Sequence, residues 1–221
     1  MVIYADGADL DLMKAYEARV SGFTTNPSLC KQAGIRDYKT FAAAVLLTTS
    51  KPVSFEVFSD DLEGMDKQAR EIASWGENIY IKIPVTNTKG VSTAPLIKNL
   101  CDSGIKVNAT AIFTHDQINL IGRMLRGPSI LSIFCGRIAD TGRDPVPFIT
   151  HALNVKAHDT KVLWASTREV LNVKQAQACG ADIITLTPGL LKKLDLFGKD
   201  LTLYSLETVS EFYEAGKGLM L

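Results

Sequence analysis

A single lysine stands within an apolar run of the sequence, and its position suggests the chemistry this chain could perform. Residues Ile79–Thr86 read Ile-Tyr-Ile-Lys-Ile-Pro-Val-Thr. Such a β-branched run is typical of a strand buried on both faces, and Pro84 marks the end of its ladder. Burial disfavours an ammonium ion and lowers the pKa of a lysine, so we expect Lys82 to offer a neutral amine. A neutral amine can attack a carbonyl and form a Schiff base.

Lys82 also has a structural interpretation, which the octapeptide alone favours. A lysine on an edge strand can lay its stem along apolar surface while its head reaches water. Most lysines are not catalytic, so the residues around Lys82 must decide between the two interpretations.

Polar residues also occur at the ends of the other predicted strands. Taken singly, each has a structural explanation: Asp6 as a turn residue, Asn26 as a helix cap, and Glu56 as the partner of Lys82 in a buried salt bridge. Inward-facing polar groups inside apolar strands cost free energy unless they are paired, so together they favour a functional site. The candidate site residues around Lys82 are Asp6, Thr25, Asn26, Glu56, Asn108, Thr110, Ser132, Phe134, Arg137, Ser166 and Arg168.

These residue types fit the cleavage of a carbon–carbon bond in a ketose. An iminium formed on Lys82 acts as an electron sink. Asp6 can then accept the hydroxyl proton that departs as the adjacent bond breaks. Glu56, working through a water beside the hydroxyl of Thr110, suits the proton transfers of imine formation.

The remaining polar residues can hold a sugar phosphate. Asn26 and Asn108 can bind substrate hydroxyls without adding charge. Arg137 and Arg168, with Ser166, offer forked donors for a phosphate. We therefore expect a phosphorylated sugar as the ligand.

The elements that must position these residues alternate regularly along the chain. We expect a single (β/α)8 TIM barrel over residues 1–221, with an additional C-terminal helix and the active site at the carboxyl ends of the strands. A doubly wound open sheet is the alternative, but no G-x-G-x-x-G follows the first strand. The predicted strands are Val2–Asp6, Gly22–Asn26, Val53–Val57, Ile79–Pro84, Lys106–Ile112, Ile130–Phe134, Lys161–Ser166 and Ile183–Leu186. The predicted helices are Leu10–Arg19, Tyr38–Thr49, Leu62–Trp75, Val91–Ser103, Thr114–Leu125, Pro145–Ala157, Arg168–Cys179, Pro188–Leu194 and Tyr204–Tyr213.

Composition excludes several classes of protein. Lysine plus arginine and aspartate plus glutamate both number 24, and no basic block occurs, which argues against nucleic-acid or membrane-surface binding. No run approaches the ~18 apolar residues of a membrane span, and no signal peptide is evident. The four cysteines are scattered, which is typical of reduced thiols in a cytoplasmic protein. None of the three histidines falls at a predicted strand end, so we expect neither a metal site nor a Ser-His-Asp triad.

The order of several motifs resembles the transaldolase family, close to its small subfamily that includes fructose-6-phosphate aldolase. The resemblance covers essentially the whole chain, and each motif is weak alone but specific in this order on a (β/α)8 pattern. The motifs are Gly22-Phe23-Thr24-Thr25-Asn26-Pro27-Ser28, Ile81-Lys82-Ile83-Pro84-Val85-Thr86, Asn108-Ala109-Thr110, Gly136-Arg137-Ile138, Trp164-Ala165-Ser166-Thr167-Arg168 and Thr185-Leu186-Thr187-Pro188.

The resemblance implies a role for most of the candidate residues, and it counts Thr25, Ser132 and Phe134 among the substrate-binding ones. Lys82 would be the Schiff-base lysine, Asp6 the acid/base of aldol cleavage, and Glu56 with Thr110 would handle the catalytic water. The implied reaction moves a dihydroxyacetone group from sedoheptulose 7-phosphate to glyceraldehyde 3-phosphate, in the pentose phosphate pathway, without cofactor or metal. Asn26 and Asn108 would orient the dihydroxyacetone unit, and the phosphate would be bound by Arg137, Ser166 and Arg168.

Two positions separate transferase from aldolase within the family. The resemblance implies glutamine at position 56 and tyrosine at position 134 for an aldolase of the family, whereas this chain has Glu56 and Phe134. We therefore favour transfer, with fructose-6-phosphate aldolase as the alternative and a non-catalytic sugar-phosphate-binding barrel as a third hypothesis. The chain departs from the family pattern at Ile133, where proline is expected, and at Thr167, where an aromatic residue is common.

The resemblance also implies a homo-oligomer. The subfamily tends to form pentameric or decameric rings, and the C-terminal segment Tyr204–Leu221 could contribute to such an assembly.

Overall fold

Eight parallel strands close into a barrel in which each strand pairs with the next and the last pairs with the first. The computed structural model describes residues 1–219, so residues 220 and 221, at the end of the segment Tyr204–Leu221, lie outside the described residues. The predicted (β/α)8 barrel with an additional C-terminal helix is confirmed. The strands are β1 Val2–Asp6, β2 Phe23–Thr24, β3 Val53–Glu56, β4 Ile79–Pro84, β5 Val107–Ile112, β6 Ser129–Ile133, β7 Thr160–Trp164 and β8 Ile183–Leu186.

Helices follow the strands and cover the outside of the barrel. Short 3₁₀ turns at Glu17–Arg19 and Leu194–Leu196 extend two of them. The helices are α1 Leu10–Tyr16, α2 Pro27–Gln32, α3 Tyr38–Thr48, α4 Leu62–Ala73, α5 Ala94–Asp102, α6 His115–Gly122, α7 Cys135–Ala139, α8 Val146–Val155, α9 Leu171–Ala178, α10 Pro188–Lys193 and α11 Leu201–Gly216.

The second strand is much shorter than the sequence pattern predicts, because the chain leaves the sheet to begin α2. The side-chain oxygen of Asn26 accepts a hydrogen bond from the Leu29 amide at 2.9 Å, and Pro27 occupies the first turn of the helix. Both features favour a helix start, since the cap satisfies a free amide and proline has none to satisfy. The prediction of a strand through Asn26 was therefore wrong, and the helix-cap interpretation of this residue is confirmed.

The loop after β7 is longer than predicted, and the following helix begins at Leu171 instead of Arg168. Ser166 adopts a left-handed backbone conformation with φ 62°, which continues neither the strand nor a helix. The side-chain oxygen of Asn172 accepts hydrogen bonds from the amides of Arg168 and Glu169, both at 3.1 Å. Residues 166–170 therefore form a fixed loop at the carboxyl end of β7.

Alternation along the strands divides the barrel interior into a polar mouth and an apolar floor. Tyr4 lies two residues before Asp6 on β1, and Tyr80 lies two residues before Lys82 on β4, so each pair points to the same face. A separate cluster of Tyr4, Ile130, Leu163, Ala165 and Ile183, against which Tyr80 and Phe134 pack, forms the floor and extends up to the cavity, which Leu163, Ala165 and Phe134 also line.

One glycine is required by this floor. A Cβ atom at Gly22 would lie 2.6 Å from Cζ of Tyr4 and 2.8 Å from the carbonyl oxygen of Pro52. Any larger residue at the start of β2 would displace the Tyr4 ring from beneath the site.

The main core lies between the outer faces of the strands and the helices. Its largest fully buried side chains include Trp164, Phe23 and Phe55. Burial of such a side chain contributes roughly 1.5–3 kcal/mol, so this layer stabilises the frame that holds the strand ends in place.

The C-terminal helix α11 makes little use of this core. None of its residues is buried by the part of the chain that the structure describes, and its apolar side chains include Leu206, 63% exposed, and Phe212, 71% exposed. Over residues 1–219, no helix has the length and apolar character needed to cross a membrane.

Candidate active site

Lys82 lies near the carboxyl end of β4 with its amine inside the barrel, and it is only 6% exposed. Its Nζ donates a hydrogen bond to the carbonyl oxygen of Thr25 at 2.8 Å. It also lies 3.1 Å from Oε2 of Glu56, the register partner of Lys82 on β3. The amine is therefore fixed between two strands.

Asp6, at the end of β1, is half-buried and close enough to this amine for their charges to interact, and a chain of hydroxyl groups holds its carboxylate. Thr24 Oγ1 donates to Asp6 Oδ1 at 2.7 Å and accepts a hydrogen bond from Thr185 Oγ1 at 2.6 Å. Burial raises the pKa of Asp6, while the positive charge of Lys82 and the hydrogen bond from Thr24 oppose that rise. A raised pKa suits a carboxyl that takes up and returns a proton during a reaction.

A second polar network crosses the opposite side of the barrel. Asn108 donates from Nδ2 to Ser54 Oγ at 2.9 Å and accepts at Oδ1 from Ser132 Oγ at 2.7 Å. Its amide is therefore oriented by neighbours on β3 and β6.

Thr110 stands beside this network with an unused hydroxyl. Its Oγ1 is buried and has no hydrogen-bond partner among the described residues. The next residue, Ala111, has φ 58°, and the register of β5 against β6 shifts between Ala109 and Ile112. This bulge locally bends the strand at Thr110, and a buried unpaired hydroxyl there is suited to bind a water or a substrate group.

The two arginines lie at the mouth of the barrel. The guanidinium of Arg137 lies 5.5 Å from the centre of the Phe134 ring. Arg168 is paired with Asp140 through Nη2 at 2.6 Å and Nε at 3.1 Å. The pair raises the pKa of Arg168 and lowers that of Asp140 through mutual hydrogen bonding and charge.

The close contact between α7 and the loop after β7 depends on a second glycine. A Cβ atom at Gly136 would lie 1.6 Å from the carbonyl oxygen of Ser166 and 3.1 Å from Cγ of Arg168. Gly136 thus allows the loop that carries Ser166 and Arg168 to approach the helix that carries Arg137.

All but one of the predicted site residues line a single cavity of about 540 Å³, a size suited to a small-molecule ligand. The exception is Thr25, whose side chain is fully buried in the barrel wall and donates to the carbonyl oxygen of Ser54 at 2.8 Å. The predicted residues that line the cavity are Asp6, Asn26, Glu56, Lys82, Asn108, Thr110, Ser132, Phe134, Arg137, Ser166 and Arg168.

Sequence reasoning missed several residues that shape this cavity. Strict alternation along β2 and β8 would have placed Thr24 and Thr185 inside the barrel. The same alternation along β3 would have placed Ser54 inside the barrel. No local pattern marks Asp140, because it contacts Arg168 from a different loop.

No metal centre is formed by this donor set. Within residues 1–219, no three His, Cys, Asp or Glu side chains are grouped as metal ligands. The chemistry that the cavity offers is that of an amine between two carboxylates, with amide and hydroxyl groups opposite and guanidinium groups at the entrance.

Comparison with known proteins places this geometry in a family. The family model for transaldolase/fructose-6-phosphate aldolase matches residues 3–219. A probable transaldolase of Methanococcus maripaludis strain C7 is 35% identical over 220 residues, covering 97% of this chain and 98% of the relative. A probable transaldolase of Carboxydothermus hydrogenoformans is 38% identical over 191 residues, covering 84% and 86%.

Solved structures of lower similarity share the fold. The 3-hexulose-6-phosphate synthase of Salmonella typhimurium superposes with a TM-score of 0.62 at 14% identity, covering 85% of this chain and 89% of its own. The tryptophan synthase A-subunit of Pyrococcus furiosus does so with a TM-score of 0.62 at 13% identity, covering 92% and 93%. These likenesses concern the barrel alone. The match over nearly all of the sequence, together with the cavity built around Lys82, shows that the chain belongs to the transaldolase/fructose-6-phosphate aldolase family.

Proposed function

We propose that the chain is a transaldolase that transfers a dihydroxyacetone unit through a Schiff base on Lys82. The donor is sedoheptulose 7-phosphate or fructose 6-phosphate, and the acceptor is an aldose phosphate such as glyceraldehyde 3-phosphate, as in the pentose phosphate pathway. The observation that carries the proposal is the buried Lys82 amine, 3.1 Å from Glu56, in a cavity that Asp6 also lines. The chemistry needs no cofactor or metal.

Imine formation begins when the deprotonated amine of Lys82 attacks the ketose carbonyl and forms a carbinolamine. Loss of its hydroxyl as water requires a proton donor, and Glu56 lies against the same amine. The unpaired hydroxyl of Thr110 can hold the water that carries protons between Glu56 and the substrate oxygen. The product is an iminium that joins Lys82 to the donor.

Cleavage follows when the carboxylate of Asp6 removes the proton from the hydroxyl on the carbon at the leaving end of the bond that breaks. That hydroxyl becomes the carbonyl of the departing aldose, and the electron pair of the broken bond moves into the iminium to give an enamine. The enamine then attacks the acceptor aldehyde, Asp6 returns its proton to the new hydroxyl, and water hydrolyses the iminium to release the new ketose and the Lys82 amine.

Substrate binding divides between the two ends of the cavity. Asn26 and Asn108 bind the hydroxyls of the dihydroxyacetone unit, and Asn108 is already oriented by Ser54 and Ser132. At the mouth, Ser166, Arg137 and Arg168 bind the phosphate. Ser132 and Phe134 also line the cavity and complete the substrate-binding surface. We propose that Thr25 contributes through its carbonyl oxygen, which holds the Lys82 amine.

The identity of residue 134 favours transfer over simple aldol release. The Phe134 ring packs 5.5 Å from the ring of Phe113 and brings no hydroxyl to the enamine. Because residue 134 offers no phenol to protonate the enamine carbon, we expect the enamine to wait for an acceptor aldehyde, and the proton held by Asp6 then goes to the new hydroxyl. Fructose-6-phosphate aldolase activity is the second candidate, since the family model joins both activities under one description.

Chemical trapping tests the Schiff base directly. Borohydride reduction with fructose 6-phosphate present should add a covalent mass to Lys82 of the native protein and none to Lys82→Ala. An unmodified Lys82, or equal labelling of the variant, contradicts the proposed mechanism. A coupled assay with and without glyceraldehyde 3-phosphate then separates the activities: dihydroxyacetone released at turnover rate without acceptor would favour the aldolase, and no product in either assay would favour a non-catalytic barrel.

We also propose that the chain forms a homo-oligomer, a pentameric or decameric ring, with α11 at the subunit contact. The support is the apolar surface of α11, since Leu206, Val209 and Phe212 are all more than half exposed. Monomeric proteins rarely expose a large apolar surface, and such a surface usually marks an interaction site.

A further inference from the structure

The hydroxyl of Tyr38, on α3, makes two hydrogen bonds to the backbone of Glu56. The amide of Glu56 donates to Tyr38 Oη at 3.0 Å, and the Tyr38 hydroxyl donates to the carbonyl oxygen of Glu56 at 3.2 Å. A helix side chain thus bonds both backbone groups of the residue whose carboxylate pairs with Lys82.

The early end of β2 explains why these backbone groups need a side-chain partner. Along β3, the Val57 amide donates to Lys82 on β4, whereas the Ser54 carbonyl accepts from Thr25 on the side of β2. Because backbone groups of successive residues point to opposite neighbours, those of Glu56 also face the side of β2. That strand ends at Thr24, so Tyr38 supplies the bonds that a longer strand would make.

The Tyr38 ring is itself held in place by other aromatic rings. The distance from the centre of the Tyr38 ring to the ring centre of Phe55 is 5.9 Å, to that of Phe58 5.7 Å and to that of Trp75 6.2 Å, all in edge-to-face arrangements. The ring centre of Phe41 lies at 6.4 Å. Burial raises the pKa of Tyr38, so its hydroxyl keeps the proton that it donates. The hydroxyl therefore reaches Glu56 from a rigid support.

We propose that Tyr38 is a positioning residue that fixes the backbone of Glu56 and so sets where the Glu56 carboxylate stands relative to the Lys82 amine and the catalytic water. This inference rests on the proposed function and deepens it, because it assigns a role in imine formation to a residue outside the cavity. A displacement of the carboxylate by about 1 Å is enough to slow proton transfer, by up to about 100-fold.

A double-mutant cycle tests this role, using Tyr38→Phe, Glu56→Gln and the double variant in the full chain. Tyr38→Phe removes the hydroxyl and keeps the ring. We expect it to lower kcat for transfer about tenfold while changing KM for fructose 6-phosphate less than about twofold. In the Glu56→Gln background, the same change should lower kcat less than about twofold, because the carboxylate through which Tyr38 acts is already absent.

The cycle separates positioning from a general loss of packing. Melting temperature should fall by the same amount in both backgrounds, since the backbone bonds are lost in both, and it reports folding independently of kcat. Tyr80→Phe is the matched control, because it removes a phenol hydroxyl from the strand that carries Lys82 but at the floor of the barrel. We expect Tyr80→Phe to leave kcat unchanged.

Three results would overturn the inference, and the borohydride adduct separates a failure of the role of Tyr38 from a failure of the proposed function. If the native protein forms the borohydride adduct on Lys82 but Tyr38→Phe lowers kcat equally in both backgrounds, Tyr38 is only structural. An unchanged kcat in Tyr38→Phe leads to the same conclusion. If the native protein forms no adduct, the proposed function fails and the role of Tyr38 fails with it.

Discussion

Arg168 donates from Nε and Nη2 to the carboxylate of Asp140, so one edge of the guanidinium of this cavity-lining residue is already occupied. Both side chains are about half exposed, which limits the free energy that the pair adds to folding. Its effect on a ligand is different, because a fixed guanidinium loses less freedom when it binds a phosphate.

Removal of Asp140 should therefore weaken phosphate binding. We expect Asp140→Ala to raise KM for fructose 6-phosphate about threefold with kcat little changed, since orientation of Arg168 outweighs the removal of a solvent-screened negative charge. Initial rates against donor concentration measure this. Asp140→Asn keeps an acceptor oxygen without the charge and is the matched control. A lower KM in both variants would mean that Asp140 repels the phosphate more than it orients Arg168.

Much of this architecture could be predicted from the sequence because its signals are local. Each strand is a short apolar run, and polar residues at the carboxyl ends of parallel strands must meet at one mouth once the barrel closes. The sequence alone therefore predicts that Lys82, Asp6 and Glu56 lie together. The strand limits were least accurate at β2 and β7; at β2, Asn26 and Pro27 begin a helix instead of continuing the sheet.

The features that could not be predicted from the sequence depend on short helices and on contacts between distant elements. The helices α2 and α7 have only six and five residues, too few for a helical period to be recognised. The hydroxyl of Tyr38 meets Glu56, and Asp140 meets Arg168, because separate elements are packed together by the barrel. No spacing in the sequence encodes either contact.

The ion pair of Lys82 and Glu56 should be expendable for folding but not for activity. A Lys82→Met/Glu56→Leu double variant replaces both charges, so we expect its free energy of unfolding to stay unchanged or to rise by about 1–4 kcal/mol. Transfer activity should fall by about 10⁴-fold or more, because no Schiff base can form. Urea unfolding and the coupled assay measure the two quantities. Retained activity would favour the structural interpretation of the pair.

Asp6→Asn should separate imine formation from bond cleavage. We expect transfer to fall by about 10²–10⁴-fold, since the acid/base is lost, while borohydride still traps fructose 6-phosphate on Lys82. Thr24→Val, which removes only the hydroxyl that donates to Asp6, is the graded comparison and should have a smaller effect. Loss of trapping in Asp6→Asn would instead assign Asp6 to imine formation.

The same variant should change how stability depends on pH. The folded-state pKa of Asp6 is raised by burial, so the folded protein binds its proton more tightly than the unfolded chain does. The stabilisation from this proton is fully present below the unfolded-state pKa and is lost as pH rises through the folded-state pKa. We expect the melting temperature of Asp6→Asn, relative to the native protein, to be higher at pH 7 than at pH 3.5. An equal difference at both values would contradict a raised pKa.

A hydroxyl at position 134 should divert the enamine. We expect Phe134→Tyr to raise release of dihydroxyacetone without acceptor several-fold and to lower transfer, because a phenol beside the cavity can deliver a proton to the enamine carbon. The ratio of rates with and without glyceraldehyde 3-phosphate measures the change. Phe113→Tyr places a hydroxyl on the neighbouring ring and is the control. An unchanged ratio in Phe134→Tyr would remove the basis for preferring transfer.

Self-association should depend on the apolar side chains of α11. Leu206→Glu/Phe212→Glu places two charges on a helix whose residues are not buried within the described chain, so the fold of the isolated barrel should be unaffected. In an oligomer the same charges would be buried without partners, which is strongly unfavourable. We expect light scattering to give the mass of a multimer for the native protein and a lower mass for the variant, with unchanged circular dichroism.

Thr208→Glu/Glu211→Gln is the matched control. It moves one charge by three residues on the same helix, keeps the net charge of the helix and leaves the apolar side chains in place, so it should retain the native mass. A monomeric native protein would remove the proposed ring and leave the apolar face of α11 without a role in assembly.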